Sequence, residues 1–102
     1  MNDVLHTIDG QQVASRSGAW LEIIEPATGE VCGRLAAGDA DDVDAAVHAA
    51  ESARAGWVAA GPEERSACIH RLADAVEAEL DAMARLETTD SGKPIALRTA
   101  YK

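Results

Sequence analysis

Apolar and polar positions follow two rhythms along this chain, and the change between them falls near Gly38. Before it, short runs with two-residue alternation predict strands. Thr7-Ile8 and Gln11-Gln12-Val13 flank Asp9-Gly10, a pair suited to a two-residue hairpin turn that needs positive φ. After a loop from Ala14 to Gly18, Trp20-Leu21-Glu22-Ile23-Ile24 and Val31-Cys32-Gly33-Arg34-Leu35 flank Glu25-Pro26-Ala27-Thr28-Gly29-Glu30. Pro26 presets φ for the first turn position and Gly29 tolerates a left-handed conformation, so this reads as a second hairpin.

From Gly38 the spacing becomes helical. Asp39 is a good N-cap, and Asp41, Asp42 and Asp44 sit near the positive end of the helix dipole. Val43, Ala46, Val47, Ala50, Ala53 and Trp57 make one apolar stripe. Because the stripe is mostly alanine, a partner can approach closely. Gly61-Pro62 ends that helix and starts the next, with Glu63 and Glu64 in its first turn. Ile69, Leu72, Ala73, Val76, Leu80 and Met83 continue the pattern, with a break near Glu79 and a C-cap at Gly92. Pro94 begins a last short helical stretch, Ile95 to Tyr101. The resulting divisions are hairpins over 1–37, a helix over 38–60, helical structure over 61–92 and the start of a further helix over 93–102.

Composition makes this an ordered but thinly supplied core. Of the 47% hydrophobic residues 22 are alanine, leucine, isoleucine and valine together number 19, and phenylalanine is absent. An alanine contributes one methyl group, whereas burying a leucine or isoleucine stabilises by roughly 1.5–3 kcal/mol. Such a chain suits a segment that docks on something larger. Its net charge of −9 repels phosphate backbones, which excludes nucleic acid as an expected partner. No apolar run reaches the ~18 residues of a membrane-spanning helix, and the N-terminus lacks the pattern of a secretory signal. Two cysteines, Cys32 and Cys68, make no disulfide framework, so a cytoplasmic location is expected.

The candidate chemistry dissolves on inspection of spacing. Asp39-Ala40-Asp41-Asp42-Val43-Asp44 invites a calcium loop, but the fifth, sixth and twelfth positions are Val43, Asp44 and Ala50 instead of an oxygen ligand, Gly and Glu. Gly92-Lys93 resembles the end of a phosphate-binding loop, yet Glu87 and Pro94 stand where Gly and Ser or Thr are required. Cys68 and His70, two apart on a helix, point away from each other. Cys32 has no basic neighbour closer than Arg34 to lower its pKa. His6 and His48 lack a second ligand at metal spacing. Trp57 reads as an apolar plug against a neighbour. No catalytic, cofactor-binding or metal site is assigned to any residue of the chain.

The order of features nevertheless resembles a known family. A hairpin at Asp9-Gly10, then Pro26-Ala27-Thr28-Gly29-Glu30-Val31, then Asp42-Val43-Asp44-Ala45-Ala46-Val47 with Ala49-Ala50 and Trp57, is similar to the start of the NAD(P)-dependent aldehyde dehydrogenases. The likeness continues through Glu64-Arg65, Leu72-Ala73-Asp74 and Leu86-Glu87-Thr88-Thr89-Asp90-Ser91-Gly92-Lys93-Pro94, and covers nearly the whole chain. One departure is Glu25, where the family usually has Asn. Asn bonds back to a turn backbone more neatly, so a looser turn is expected.

The resemblance implies an α+β segment of the α/β aldehyde dehydrogenase fold, the N-terminal part of a Rossmann-like cofactor-binding domain left incomplete within residues 1–102. It implies a complete enzyme in which a cysteine thiolate attacks the aldehyde, a hydride passes to NAD or NADP, and a Glu-activated water releases the carboxylic acid. The family's nucleophilic Cys, general-base Glu, oxyanion Asn and cofactor contacts lie in later segments, and neither Cys32 nor Cys68 matches the nucleophile's motif. The implied partners are the remainder of the chain, a small-molecule aldehyde and, at full length, further copies of the enzyme; this segment alone is expected to bind no cofactor and to be inactive. The competing expectation is a self-contained acidic helical binding or regulatory module, since two amphipathic helices are retained while the pattern stops short at Lys102.

Overall fold

A computed structural model describes residues 2–95. The expected helix start over 93–102 falls mostly on residues 96–102, outside the described residues. The strands are β1 (Asn2–Val4), β2 (His6–Ile8), β3 (Gln11–Val13), β4 (Trp20–Ile24) and β5 (Val31–Ala36). The helices are α1 (Ala40–Ala59), α2 (Gly61–Ala78) and α3 (Leu80–Ser91). This is the expected α+β order of hairpins followed by helices.

Both hairpins form for the local reasons their turns supply. Asp9 and Gly10 have φ of 52° and 70°, the left-handed pair that lets a two-residue turn match strand twist, and β2 pairs antiparallel with β3. Between β4 and β5 the Glu25 N–H donates to the Glu30 carbonyl at 2.9 Å, and the Gly29 N–H to the Glu25 carbonyl at 2.8 Å. Thr28 Oγ1 donates to Glu25 Oε2 at 3.3 Å and accepts from the Glu30 N–H at 3.2 Å. The turn is therefore closed, not loose: the glutamate side chain is long enough to reach the threonine hydroxyl.

The sheet contains an element the pattern did not announce. β1 adds in parallel to β5, giving the order β1-β5-β4, with Asn2 opposite Gly33 and Val4 opposite Leu35. Arg34 clamps it through paired 2.8 Å bonds to both oxygens of Asp3, while its guanidinium carbon sits 4.2 Å from the centroid of the Trp20 ring. Gly33 is required here. A Cβ at that position would stand 2.8 Å from the Asn2 carbonyl oxygen. Between β4 and β5 the pairing jumps from Ile23↔Gly33 to Ile24↔Val31, which leaves Cys32 out of register.

The helices begin and end where chemistry dictates. Asp39 caps α1 and Asp42 reciprocates, a capping box built from two aspartates. Gly61 at φ 81° and Pro62 reset the chain between α1 and α2. Glu79, with φ −102° and ψ 9°, separates α2 from α3. Gly92 at φ 74° closes α3, its N–H donating to the Thr88 carbonyl at 3.0 Å.

These elements do not close around a core. Ala36 is the buried hydrophobic residue among the described ones, while Val47, Leu72 and Leu86 are 62%, 59% and 62% exposed. The chain exposes 7736 Å², against about 5,500 Å² for a compact monomer of its mass. Its radius of gyration is 17.1 Å, against about 13 Å for a compact chain of that length. The molecule is a plate of 48 × 39 × 16 Å.

Candidate functional site

The carboxylate of Asp42 gathers hydrogen bonds from two distant segments of the chain. Residue 42 lies in the first turn of α1 and is buried. Its Oδ2 accepts from Ser15 Oγ at 3.0 Å and from the Asp39 N–H at 3.1 Å, and its Oδ1 accepts from the Arg16 N–H at 3.1 Å. Ser15 spends its proton on Asp42, so Ser17 is the donor in the 2.9 Å contact between their hydroxyls. The backbone N–H of Asp39, then those of Arg16 and the Ser15 hydroxyl, hold the Asp42 carboxyl below its ordinary value, against the opposing effect of burial. His6 Nε2 stands 3.7 Å from Oδ2. The carboxylate thus joins the loop after β3 to the head of α1, and its arrangement is structural.

Asp42 was read in sequence only as one of several acids near a helix start. The signal that finds half of its role is its spacing three residues after Asp39, the capping-box interval. Ser15 and Arg16 carry no comparable signal, because a bond across 27 residues has no local pattern.

The residues weighed for chemistry stay apart. Cys32 and Cys68 are free thiols. The Cys32 thiol donates to the Ile23 carbonyl at 3.5 Å. His70 Nδ1 lies 2.9 Å from the Ser66 carbonyl one turn back on its own helix, which holds the ring there and not against Cys68. Lys93 Nζ is 3.7 Å from Glu87 Oε1, so the Gly92-Lys93 pair ends a helix with an ion pair. Among the described residues no three His, Cys, Asp or Glu side chains group as metal ligands. Trp57, expected as a plug, is 45% exposed among the described residues.

The surface offers open apolar ground in two places. A concavity of about 420 Å³ between the three-stranded sheet and α3 is walled by Val4, Ile23, Cys32, Gly33 and Leu86, with Asp90 at its margin. A groove of about 550 Å³ runs along α1 beside Val47, Ala50, Ala53 and Trp57. In the first, lined also by Glu87, the Cys32 thiol donates to the Ile23 carbonyl; the second is lined by no Cys, Ser or His. None of the helices among the described residues is long and apolar enough to cross a membrane.

Residues 13–101 match the model of the aldehyde dehydrogenase family. The chain belongs to that family. It is similar to 2-hydroxymuconic semialdehyde dehydrogenase of Pseudomonas sp. (strain CF600), 39% identical over 95% of this chain and 20% of the relative. It is similar to betaine aldehyde dehydrogenase of Rhizobium etli (strain CIAT 652), 41% identical over 88% of this chain and 18% of the relative. The backbone superposes on a crystal structure of NAD-dependent aldehyde dehydrogenase from Sinorhizobium meliloti with a TM-score of 0.90, at 32% identity, over 97% of this chain and 20% of that one. The chain therefore spans about one fifth of the length of the aldehyde dehydrogenases it matches, and is an N-terminal segment of their fold. At that share, an aldehyde dehydrogenase segment with its apolar faces uncovered is the expected geometry.

Proposed function

We propose that this chain is the N-terminal part of the cofactor-binding domain of an enzyme that oxidises an aldehyde to a carboxylic acid with NAD or NADP as hydride acceptor, and that it supplies packing surface and not reactive groups. One observation carries the reading: the apolar faces of the sheet and of α1, α2 and α3 are open in a chain that covers a fifth of its aldehyde dehydrogenase relatives. Side chains such as Val47, Leu72 and Leu86 are costly to leave in water, and the remaining four fifths of such an enzyme would cover them. The same exposure argues against a self-contained binding module, which would close its own core.

The described residues do not fit a dinucleotide themselves. Pyrophosphate is held by free N–H groups and the positive end of a helix dipole. The N-terminus of α1 is already filled by the carboxylates of Asp39 and Asp42, and α2 opens on Glu63 and Glu64. Cofactor and aldehyde sites accordingly belong to residues outside this segment. Relatives named for 2-hydroxymuconic semialdehyde and for betaine aldehyde each match over most of this chain, which fits a segment that does not choose the substrate.

The test is reconstitution. The isolated chain should give no aldehyde-dependent reduction of NAD or NADP. Co-expressed with the remainder of its aldehyde dehydrogenase, it should restore turnover that the remainder alone lacks. Turnover by the isolated chain, or full activity of the remainder without it, would refute the assignment.

A further inference from the structure

Among the described residues one that is not glycine has a positive φ, Asp9 at 52°. It precedes Gly10 at 70°, and both lie beyond the last pair of the β2–β3 ladder, Ile8 opposite Gln11. Both are exposed. We propose that Asp9-Gly10 is a site of spontaneous isoaspartate formation, and that the product unfastens the β2–β3 hairpin.

The reaction is an attack of the chain on itself. With the Asp9 carboxyl protonated, the Gly10 backbone nitrogen bonds to Cγ and the Cγ–O bond breaks. The departing hydroxyl leaves as water, taking the proton of the Gly10 N–H. The five-membered succinimide then takes up water. If the bond between the nitrogen and Cγ breaks, aspartate is restored. If the bond between the nitrogen and the Asp9 main-chain carbonyl breaks, isoaspartate is left. Nothing is oxidised or reduced, and the mass of the chain is unchanged.

The surroundings select this aspartate. The attacking nitrogen belongs to a glycine, and even an added Cβ would meet nothing within 4 Å, so the approach is unhindered. β2 and β3 form a separate two-stranded sheet, with no ladder to the three-stranded one. Two strands by themselves are marginal in water, so this turn opens far enough for the Gly10 nitrogen to reach Cγ. The other aspartates are held. Asp3 is gripped by Arg34 through paired 2.8 Å bonds, and Asp39 and Asp42 each accept the other's N–H. The rest lie within α1, α2 and α3, where the helical backbone fixes the next N–H along the axis.

The product does not refit the turn. Isoaspartate carries its Cβ in the main chain, which makes the connection one carbon longer. Only two residues join Ile8 to Gln11, and in so short a connection the turn geometry sets the register of the strands. The lengthened turn therefore breaks the pairing of His6 with Val13 and Thr7 with Gln12, and no neighbouring strand restores it.

Incubation of the full chain in mildly acidic buffer at physiological temperature, followed by chromatographic peptide mapping, reads the site directly. Isoaspartate at position 9 should exceed that at every other aspartate. Asp9→Glu lengthens the tether, so that closure would need a six-membered ring; this variant should gather no linkage isomer at position 9, even with a looser turn. Hydrogen exchange of the separated isoaspartate form should show protection of segment 6–13 reduced by about tenfold, as loss of a short ladder requires, with segment 20–36 unchanged. An isomer no more abundant at position 9 than elsewhere, one that persists in the variant, or an isoaspartate form that keeps its protection in 6–13 overturns the proposal.

Discussion

Gly33→Ala tests how β1 is held. The added Cβ would stand 2.8 Å from the Asn2 carbonyl oxygen and 3.4 Å from Ile23 Cδ1. The second contact is ordinary. The first is short by about half an ångström compared with the 3.3–3.6 Å at which carbon and carbonyl oxygen meet between strands. The oxygen belongs to backbone, so the three-residue strand must shift as a whole, and an edge strand that shifts loses its ladder. Pairing of Asn2–Val4 with Gly33–Leu35 rests on a few backbone hydrogen bonds, each worth about 1 kcal/mol net, for a total of about 2–3 kcal/mol. The bidentate Asp3–Arg34 pair is half-exposed and screened by solvent, and is left out of that total because the substitution leaves both side chains in place. Alanine returns about 0.5–1 kcal/mol by restricting the unfolded chain. The net local loss is about 1–2 kcal/mol, or about 5- to 30-fold in opening. Hydrogen exchange should show that loss in the segment 31–36, with the β2–β3 hairpin unchanged. Protection within twofold of wild type would mean that β1 does not need the close approach at Gly33.

Asp39→Ala should lower stability by about 1 kcal/mol, seen in denaturant unfolding, because the Asp42 N–H loses its acceptor at 3.0 Å; Asp39→Asn should retain most of it. Acid should act through Asp42. Its carboxyl is held below the ordinary value of 3.8, chiefly by the Asp39 N–H, so its contribution is complete above that value and is lost as pH falls through the lower folded one. Asp42→Asn should flatten that part of an acid titration followed by circular dichroism, and an unchanged acid limb would refute the assignment. Trp57 is 45% exposed in this chain, so in a Trp20→Phe background its fluorescence should be quenched freely by acrylamide. In the complete aldehyde dehydrogenase the same residue should be shielded and blue-shifted, and equal quenching in both would mean that its face stays uncovered.

The structure separates what is local from what is not. The Asp9-Gly10 turn, the cap at Asp39, the reset at Gly61-Pro62 and the stop at Gly92 were all legible in sequence, because each is decided by the backbone preferences of a few adjacent residues. The helical period of the alanine stripe was legible for the same reason.

What tertiary structure decided lies across longer separations. β1 is three residues whose partner lies some thirty positions away, and nothing in Asn2-Asp3-Val4 announces a parallel edge. Cys32 read as an ordinary strand residue until the pairing of its neighbours left it out of register. Asp42 was one acid among several until Ser15 and Arg16 reached it. The burial of Trp57 was anticipated from its bulk, yet bulk states only that a surface should be covered, not where the cover comes from. Periodicity reports a face. Only the packing of distant segments says what meets it, because the free energy of burial depends on which surfaces come together and not on the order in which they were strung.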